Sequence, residues 1–522
     1  MSAPERQPLL KNRLDVHDRK QFELKLEYEP AKGEDADYLV EAFFFLPTSL
    51  NITPETYPRH DFYADIHNYV RLKTPVVDLS ELLDADSLPL ARLERWLTVT
   101  SPTPEPELVY DAKMLSCMVR GALRRFSQAI SEYCAPRKYE AGFSPEQLDR
   151  LGRLGHGAIE QVNILLQRFR EFTTTLNQRP ALLERTRASM RLVDEYLSLS
   201  VEQFFRRAVA DMDRLPKTPF IAGLRKLLLL EVIREETYRK NHQLRSVLSP
   251  TGDNEEYMHR IGFLKKFCMN ILFLNARPEQ NRRNYEEILF ALAAGVSMAF
   301  ATTVAIVGQK RFPQASLNFS LVLIVGYMVK DRIKEMMRRI FSSVASRYLF
   351  DRSVAIIDPV TQAEIGTCAE KVDYGAAVRV PEDVAAMRRQ DDFITVTQGE
   401  LAEQVIRYQK KIALGADLLT RMSHGCTGVT DIIRINVDRL LRDMDNPEFA
   451  LEYVDLEDLS VGRVRAEKSY QVDIVFRFTI EEGGRKRTTC EAARLVLDQN
   501  GIKRMLPLGP AVEAAAALRS VA

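Results

Sequence analysis

Two residues in this chain have the types and spacing of a nucleophilic pair. His424 and Cys426 lie in Ser-His-Gly-Cys-Thr-Gly, 423–428, with glycines at 425 and 428 that free the backbone around the thiol. The stretch that follows, 428–444, carries Val429, Ile432, Ile433, Val437, Leu440 and Leu441 at helical spacing. Read as an amphipathic helix, it puts the thiol at a helix N-terminus, which lowers a cysteine's pKa or holds an anion. Side chains two apart in a loop need not meet, however, and a flexible helix-entry loop makes fewer demands.

Other chemical patterns are thinner. Glu256 and His259 have the spacing of half a di-iron carboxylate site, but the sequence holds no second Glu-x-x-His, so a solvated face is the simpler reading. Gly152, Gly155 and Gly157 follow a helix start rather than a strand, which is the wrong context for nucleotide binding. There is no GxxxxGK[ST], HExxH or GxSxG motif. The six cysteines form no CxxC pair, and their number in 522 residues suits reduced thiols rather than a disulfide framework. The expectation is no metal and no cofactor.

The pattern that points most firmly to an environment is apolar. Residues 288–308 form a 21-residue run without Asp, Glu, Lys, Arg, His, Asn or Gln. As a helix it is about 31 Å long, the thickness of a bilayer's hydrocarbon core. After a polar turn at 309–314, a second apolar run covers 315–329 and reads as the return leg of a transmembrane hairpin. Arg277, Arg282 and Arg283 precede the first run; Lys330, Arg332, Lys334, Arg338 and Arg339 follow the second. Against Lys310 and Arg311 in the turn, that excess places both flanks, and both termini, on the cytoplasmic side. The basic residues after 329 form a juxtamembrane helix, 330–350, that lies at anionic headgroups or packs on the protein. Ala291, Gly295, Ala299 and Thr303 recur every four residues, a small-residue stripe suited to close helix packing. Neither run carries Asp, Glu, Lys, Arg or His, which argues against a pump or transporter.

Folded segments flank this hairpin. At the N-terminus, 1–18 is polar, without the apolar core of a signal peptide, and reads as disordered. Its Glu5-x-x-x-Leu9-Leu10 has the form of an acidic dileucine signal, a pattern short enough to arise by chance. The segment 19–100 is a small α+β region in which alternating 21–29 and apolar 38–46 form a β-hairpin across Gly33. A proline-rich stretch at 101–107 leads into a bundle of about five helices over 101–287. One of these helices starts at Ser144-Pro145-Glu146-Gln147, with the parts of a capping box. The segment 351–522 reads as an α+β domain in which 353–358 pairs with 364–372. A three-strand antiparallel meander covers 470–506, its face buried by the 428–444 helix. The fold class is therefore mainly α with α+β flanks: a cytosolic helical bundle, a two-helix transmembrane hairpin and a C-terminal domain with an antiparallel sheet.

Composition narrows function further. Lys plus Arg is 73 against 72 Asp plus Glu, so the chain lacks the positive excess expected of a nucleic-acid coat. The expected partners are the lipid bilayer and a protein partner or a second copy. The leading reading is an integral membrane protein whose cytoplasmic domains act as a scaffold or sensing and interaction module. The alternative is a membrane-bound enzyme with a site near His424 and Cys426. An oligomeric pore packed through the Ala291–Gly295–Ala299 face is third.

Overall fold

The structure is a computed structural model and describes residues 10–29, 36–84, 88–98, 105–134, 144–180, 182–216, 218–279, 281–313, 316–359, 362–375, 378–388, 403–415, 426, 428–445, 448–454, 460–482 and 485–508. In chain order the elements begin with β1 (Leu10–Val16), β2 (Gln21–Tyr28), β3 (Ala36–Pro47), α1 (Arg59–Asp65) and β4 (Ile66–Leu72). Helices α2 (Leu79–Asp84), α3 (Pro89–Thr98), α4 (Glu105–Tyr133), α5 (Pro145–Asn177), α6 (Glu184–Met212), α7 (Pro219–Asn241) and α8 (Glu255–Met269) follow. Next come β5 (Asn275–Pro278), α9 (Asn281–Arg311), α10 (Leu317–Tyr348), β6 (Arg352–Ile357), β7 (Glu364–Tyr374) and α11 (Glu382–Arg388). The chain ends with β8 (Glu403–Leu414), β9 (Val429–Asn436), β10 (Glu448–Val454), β11 (Val461–Glu467), β12 (Tyr470–Glu482), β13 (Arg485–Asp498) and β14 (Gly501–Leu508). The class is mixed α and β with antiparallel sheets, as expected.

Two compact units form. The first comprises Met1–Val70, Asn275–Leu419 and Thr430–Ala522; the second comprises Arg71–Leu274 and Thr420–Val429. In the first unit an eight-stranded sheet has the order β14-β13-β12-β3-β8-β7-β6-β5, and a four-stranded sheet has the order β1-β2-β9-β4. β3 explains the layering. Its even positions Tyr38, Val40, Ala42 and Phe44 turn to one face, where the Tyr38 ring packs at a tilt against Tyr28 of β2 with ring centroids 5.0 Å apart. Its odd positions Phe43 and Phe45 turn to the other, packing with Val384 of α11, Val475 and Ala492. A strand buried on both faces reads as a nearly continuous apolar run, which is what 38–46 is. Between the sheets, Lys410 of β8 donates to Asp431 of β9 at 2.7 Å, and neither side chain is exposed at all.

In the second unit α6 is the central helix. Three of its carboxylates each take an arginine from a different neighbour: Asp194 from Arg170 of α5, Glu195 from Arg260 of α8, and Glu202 from Arg239 of α7. Phe126 of α4 meets Phe205 of α6 with ring centroids 5.5 Å apart. The five long helices match the expected bundle, and the capping box is present, Ser144 Oγ accepting from the Gln147 amide at 3.3 Å. Gly152 and Gly155 lie inside α5, where a Cβ would strike Phe220 and Leu224 of α7. Helix packing, not phosphate, accounts for those two glycines.

The meander is as expected, β12 pairing β13 and β13 pairing β14, with Gly501 at a φ of 132° in the tight turn where a Cβ would strike the Arg19 carbonyl. The pairing of β6 with β7 is likewise present.

Three expectations are corrected. β2 and β3 form no hairpin: β2 pairs β1 and sits beside β9, while β3 lies between β12 and β8. The N-terminal strands thus belong to the same unit as the C-terminal sheet. β1 falls within 1–18, the stretch read as disordered. The 428–444 segment is a strand, β9, followed by a short 3-10 turn at Asp438–Leu441. Its Val429, Thr430, Ile432, Ile433 and Ile435 are β-branched, and a pleated, half-buried surface suits such side chains better than a helix does. The alternating face of the meander, Val472 to Ile480, lies on the same side of the sheet as Val40, Ala42 and Phe44 of β3, toward the four-stranded sheet that holds β9, while α11 covers the opposite face through Val475 and Ala492.

Candidate functional site

The hairpin of α9 and α10 is the region whose chemistry stands apart from the rest. Gly308 of α9 faces Phe319 and Val322 of α10, Gly326 of α10 faces Val304 of α9, and the Arg338 guanidinium sits 4.6 Å from the Phe290 ring centroid. These contacts define one antiparallel register. α9 runs on through Arg311, so the turn is shorter than 309–314, and Ser316 caps α10 by accepting from the Phe319 amide at 3.2 Å. α10 continues without a break from the apolar run into the basic stretch, as expected.

Among the described residues one helix, Glu287–Arg311, is long and apolar enough to cross a membrane, and only 11% of its most apolar part is buried. A core helix of a soluble domain would be enclosed on most sides. Here Ile288, Leu292, Val296, Ile306 and Val307 are exposed on α9, and Leu317, Leu321, Ile324, Val325 and Met328 are exposed on α10. The hydroxyls in α9 are satisfied within the helix: Ser297 donates to the Ala294 carbonyl at 2.9 Å, and Thr302 and Thr303 donate one turn back.

The small-residue stripe does not make the hairpin interface. Ala291, Gly295, Ala299 and Thr303 are exposed, and a Cβ on Gly295 would meet nothing within 4 Å. The face turned to α10 includes Ala293, Ser297, Val304 and Gly308 instead. Nor do the basic residues form one band. Lys330 is folded over the Tyr327 ring, 4.4 Å from its centroid, and pairs with Asp331 at 3.5 Å; Arg339 pairs with Glu335 at 3.5 Å. Arg332 and Lys334 are exposed, and Arg338 lies on Phe290.

The register also shows something linear sequence hides. It sets Lys330 beside roughly Ala299, so the charged part of α10 flanks the first half of the apolar run on α9. The depth over which both helices are apolar is set by 317–329 of α10, about 20 Å long at the helical rise.

His424 lies outside the described residues. Cys426 is 4% exposed, in the unit that also buries Cys117 and Cys268, and the Cys117 thiol contacts the Cys268 carbonyl at 3.6 Å. Burial, with a smaller push from Cys426, brings the Cys117 thiol up to about 12, and burial also raises Cys268. Cys368 is likewise pushed up to about 12, and the half-buried Cys490 up to about 11. Such thiols stay protonated and are poor nucleophiles. Iodoacetamide at pH 8 is therefore expected to leave Cys117, Cys268, Cys368 and Cys426 unmodified in the native chain and to modify them in urea, as read by peptide mass spectrometry. Rapid, selective alkylation of Cys426 in the native chain would instead mark a reactive centre.

Among the described residues no group of three or more His, Cys, Asp or Glu side chains is placed to hold a metal. A polar depression of about 460 Å³ between α5 and α7 is lined by Asn163, Gln167, Arg170, Arg234 and Glu235. Its central cation, Arg170, is already engaged by Asp194 and Glu235.

Sequence reading missed the β10–β11 ribbon of the first unit; the alternation of Phe449, Leu451 and Tyr453 was its signal. Compared with family models, with curated proteins and with solved structures, the chain matches none of them.

Proposed function

We propose that α9 and α10 cross a bilayer as a hairpin and anchor the two folded units, which act as a scaffold or interaction module rather than as an enzyme. The observation that carries this reading is the exposure of apolar side chains around α9 and along 317–329 of α10. In water that surface would far exceed the apolar patches of ordinary monomers. The common apolar depth of about 20 Å is less than a typical 30 Å core, so the bilayer thins locally. Lys310 and Arg311 at the tip extend their side chains to the headgroups on that side, and the exposed Arg332 and Lys334 do so at the base.

Both units lie on one side, the side of the larger basic flank, which by the positive-inside bias is the cytoplasm. The alternative, an enzyme around His424 and Cys426, draws no support from a buried thiol, and the alkylation result decides it.

Topology is tested on sealed microsomes carrying Lys310→Cys in a Cys490→Ser background. A membrane-impermeant maleimide is expected to label the tip only after permeabilisation. Labelling at the same rate in intact microsomes would put the tip on the cytoplasmic side and overturn the spanning arrangement.

A further inference from the structure

The β10–β11 ribbon pairs with no other strand among the described residues, and its charged side chains all lie on one face, which also carries Val454 and Val461. The uncharged face carries Phe449, Leu451 and Tyr453 opposite Ala466, Val464 and Gly462. The other carries Glu448 and Glu452, paired with Arg465 at 3.3 Å and Arg463 at 3.1 Å. On the apolar face Phe449 is 48% exposed, Leu451 52%, Tyr453 51% and Val464 50%. A two-stranded ribbon needs a covered apolar face to be stable.

Strand register says which way the ribbon points. Arg352 of β6 aligns with Glu370 of β7, Glu370 with Lys410 of β8, Lys410 with Val40 of β3, and Val40 with Phe478 of β12. Because every pairing is antiparallel, the sheet end at Arg352, where α10 enters, is also the end at Tyr374, Glu403, Pro47 and Tyr470. β5, which leads into α9, reaches that same end at Pro278. The ribbon joins β12 at Tyr470, so hairpin and ribbon leave one end of the eight-stranded sheet. Sideways they are about 19 Å apart across four strand spacings, and β12 runs eight residues, about 26 Å, past the row of Arg352 to reach Tyr470.

We infer that the apolar face of the ribbon rests on the bilayer into which the hairpin inserts, giving the β-rich unit a second lipid contact. This rests on the membrane-anchor reading. The face measures about 240 Å² (two strands of about 24 Å length), so two copies pairing through it would bury about 480 Å². That is well below the 1,200 Å² or more of a stable protein interface. A bilayer sets no such limit, and the anchor already holds the ribbon at high effective concentration beside it. Phe and Tyr alongside Leu and Val suit the headgroup boundary. The segment 448–467 carries six acidic residues against two arginines, so apolar burial rather than headgroup charge drives the contact.

The test places a single indole on the ribbon of the full chain, Phe449→Trp in a Trp96→Phe background, in phosphatidylcholine vesicles with or without brominated acyl chains. A parallel chain carries Ile306→Trp in the hairpin. Both indoles are expected to be blue-shifted and quenched by bromine, and Leu451→Glu is expected to abolish quenching on the ribbon while leaving the hairpin reporter quenched. An unquenched ribbon reporter beside a quenched hairpin reporter overturns this inference alone. A blue-shifted but unquenched ribbon reporter assigns the face to a second copy and overturns it too. If neither indole is quenched, the anchor reading itself fails. Quenching that survives Leu451→Glu also counts against the inference, because the apolar face would then not be what docks.

Discussion

The Ile306→Asp/Ile324→Asp chain is expected to leave the membrane fraction while both folded units keep their helical and sheet signals by circular dichroism. Ile306 is 50% exposed and Ile324 61%, and the register puts both near the middle of the shared apolar depth. Neither supports the core of a folded unit, so the change acts on insertion. A carboxylate at the centre of a spanning helix costs about 2.5–3.5 kcal/mol, so the pair costs about 5–7 kcal/mol. That lowers partitioning by on the order of 10⁴-fold. The Ile306→Leu/Ile324→Leu chain, with the same apolar area, is expected to sediment with membranes as the natural chain does. A double-Asp chain that still sediments there would mean these faces are covered by protein and not by lipid.

A second large effect is expected in the core of the β-rich unit. Lys410→Met should destabilise that unit by about 3–5 kcal/mol, because it leaves the Asp431 carboxylate buried without its counter-charge. Lys410 and Asp431 are fully enclosed between the sheets, near Cys368 and Glu370; Lys410 donates to Asp431 Oδ1, and Oδ2 has no hydrogen-bond partner among the described residues. Burial raises the Asp431 carboxyl, and Lys410 pulls it back down. Lys410→Met/Asp431→Leu removes both charges and is expected to recover most of the loss, since an apolar pair of similar volume often replaces a buried ion pair at little cost. Urea unfolding of all four chains of this cycle in detergent, followed by strand-specific infrared bands, measures the coupling. Near-additive effects would show that the two charges do not depend on each other.

What could be read from sequence was local. Ser144 and Gln147 announce a helix start, strict alternation over 470–480 marks β12, and Asn500-Gly501 marks the turn into β14; each rests on a few adjacent residues. What could not be read depends on distant partners. β3 pairs with strands more than 350 residues away, so nothing near it signals that 21–29 and 38–46 belong to different sheets. The 428–444 stretch satisfies a helical period, yet β-branched residues and a central place between β2 and β4 make it a strand.

At the hairpin, composition gave the two helices and their continuity, but only the register reveals that the stripe through Gly295 faces outward. The register alone also places charged residues of α10 beside the apolar start of α9. Side-chain direction around a helix follows from which neighbour it meets, and small residues alone do not say which neighbour that is.

The most direct measurement is flotation of the unsubstituted chain on a density gradient after an alkaline carbonate wash of the membranes. The anchor account predicts that the protein floats with lipid after the wash and moves to the soluble zone only once detergent is added. Recovery of the washed protein in the soluble zone without detergent would contradict it, because a hairpin seated in hydrocarbon cannot be released by removing charge contacts alone.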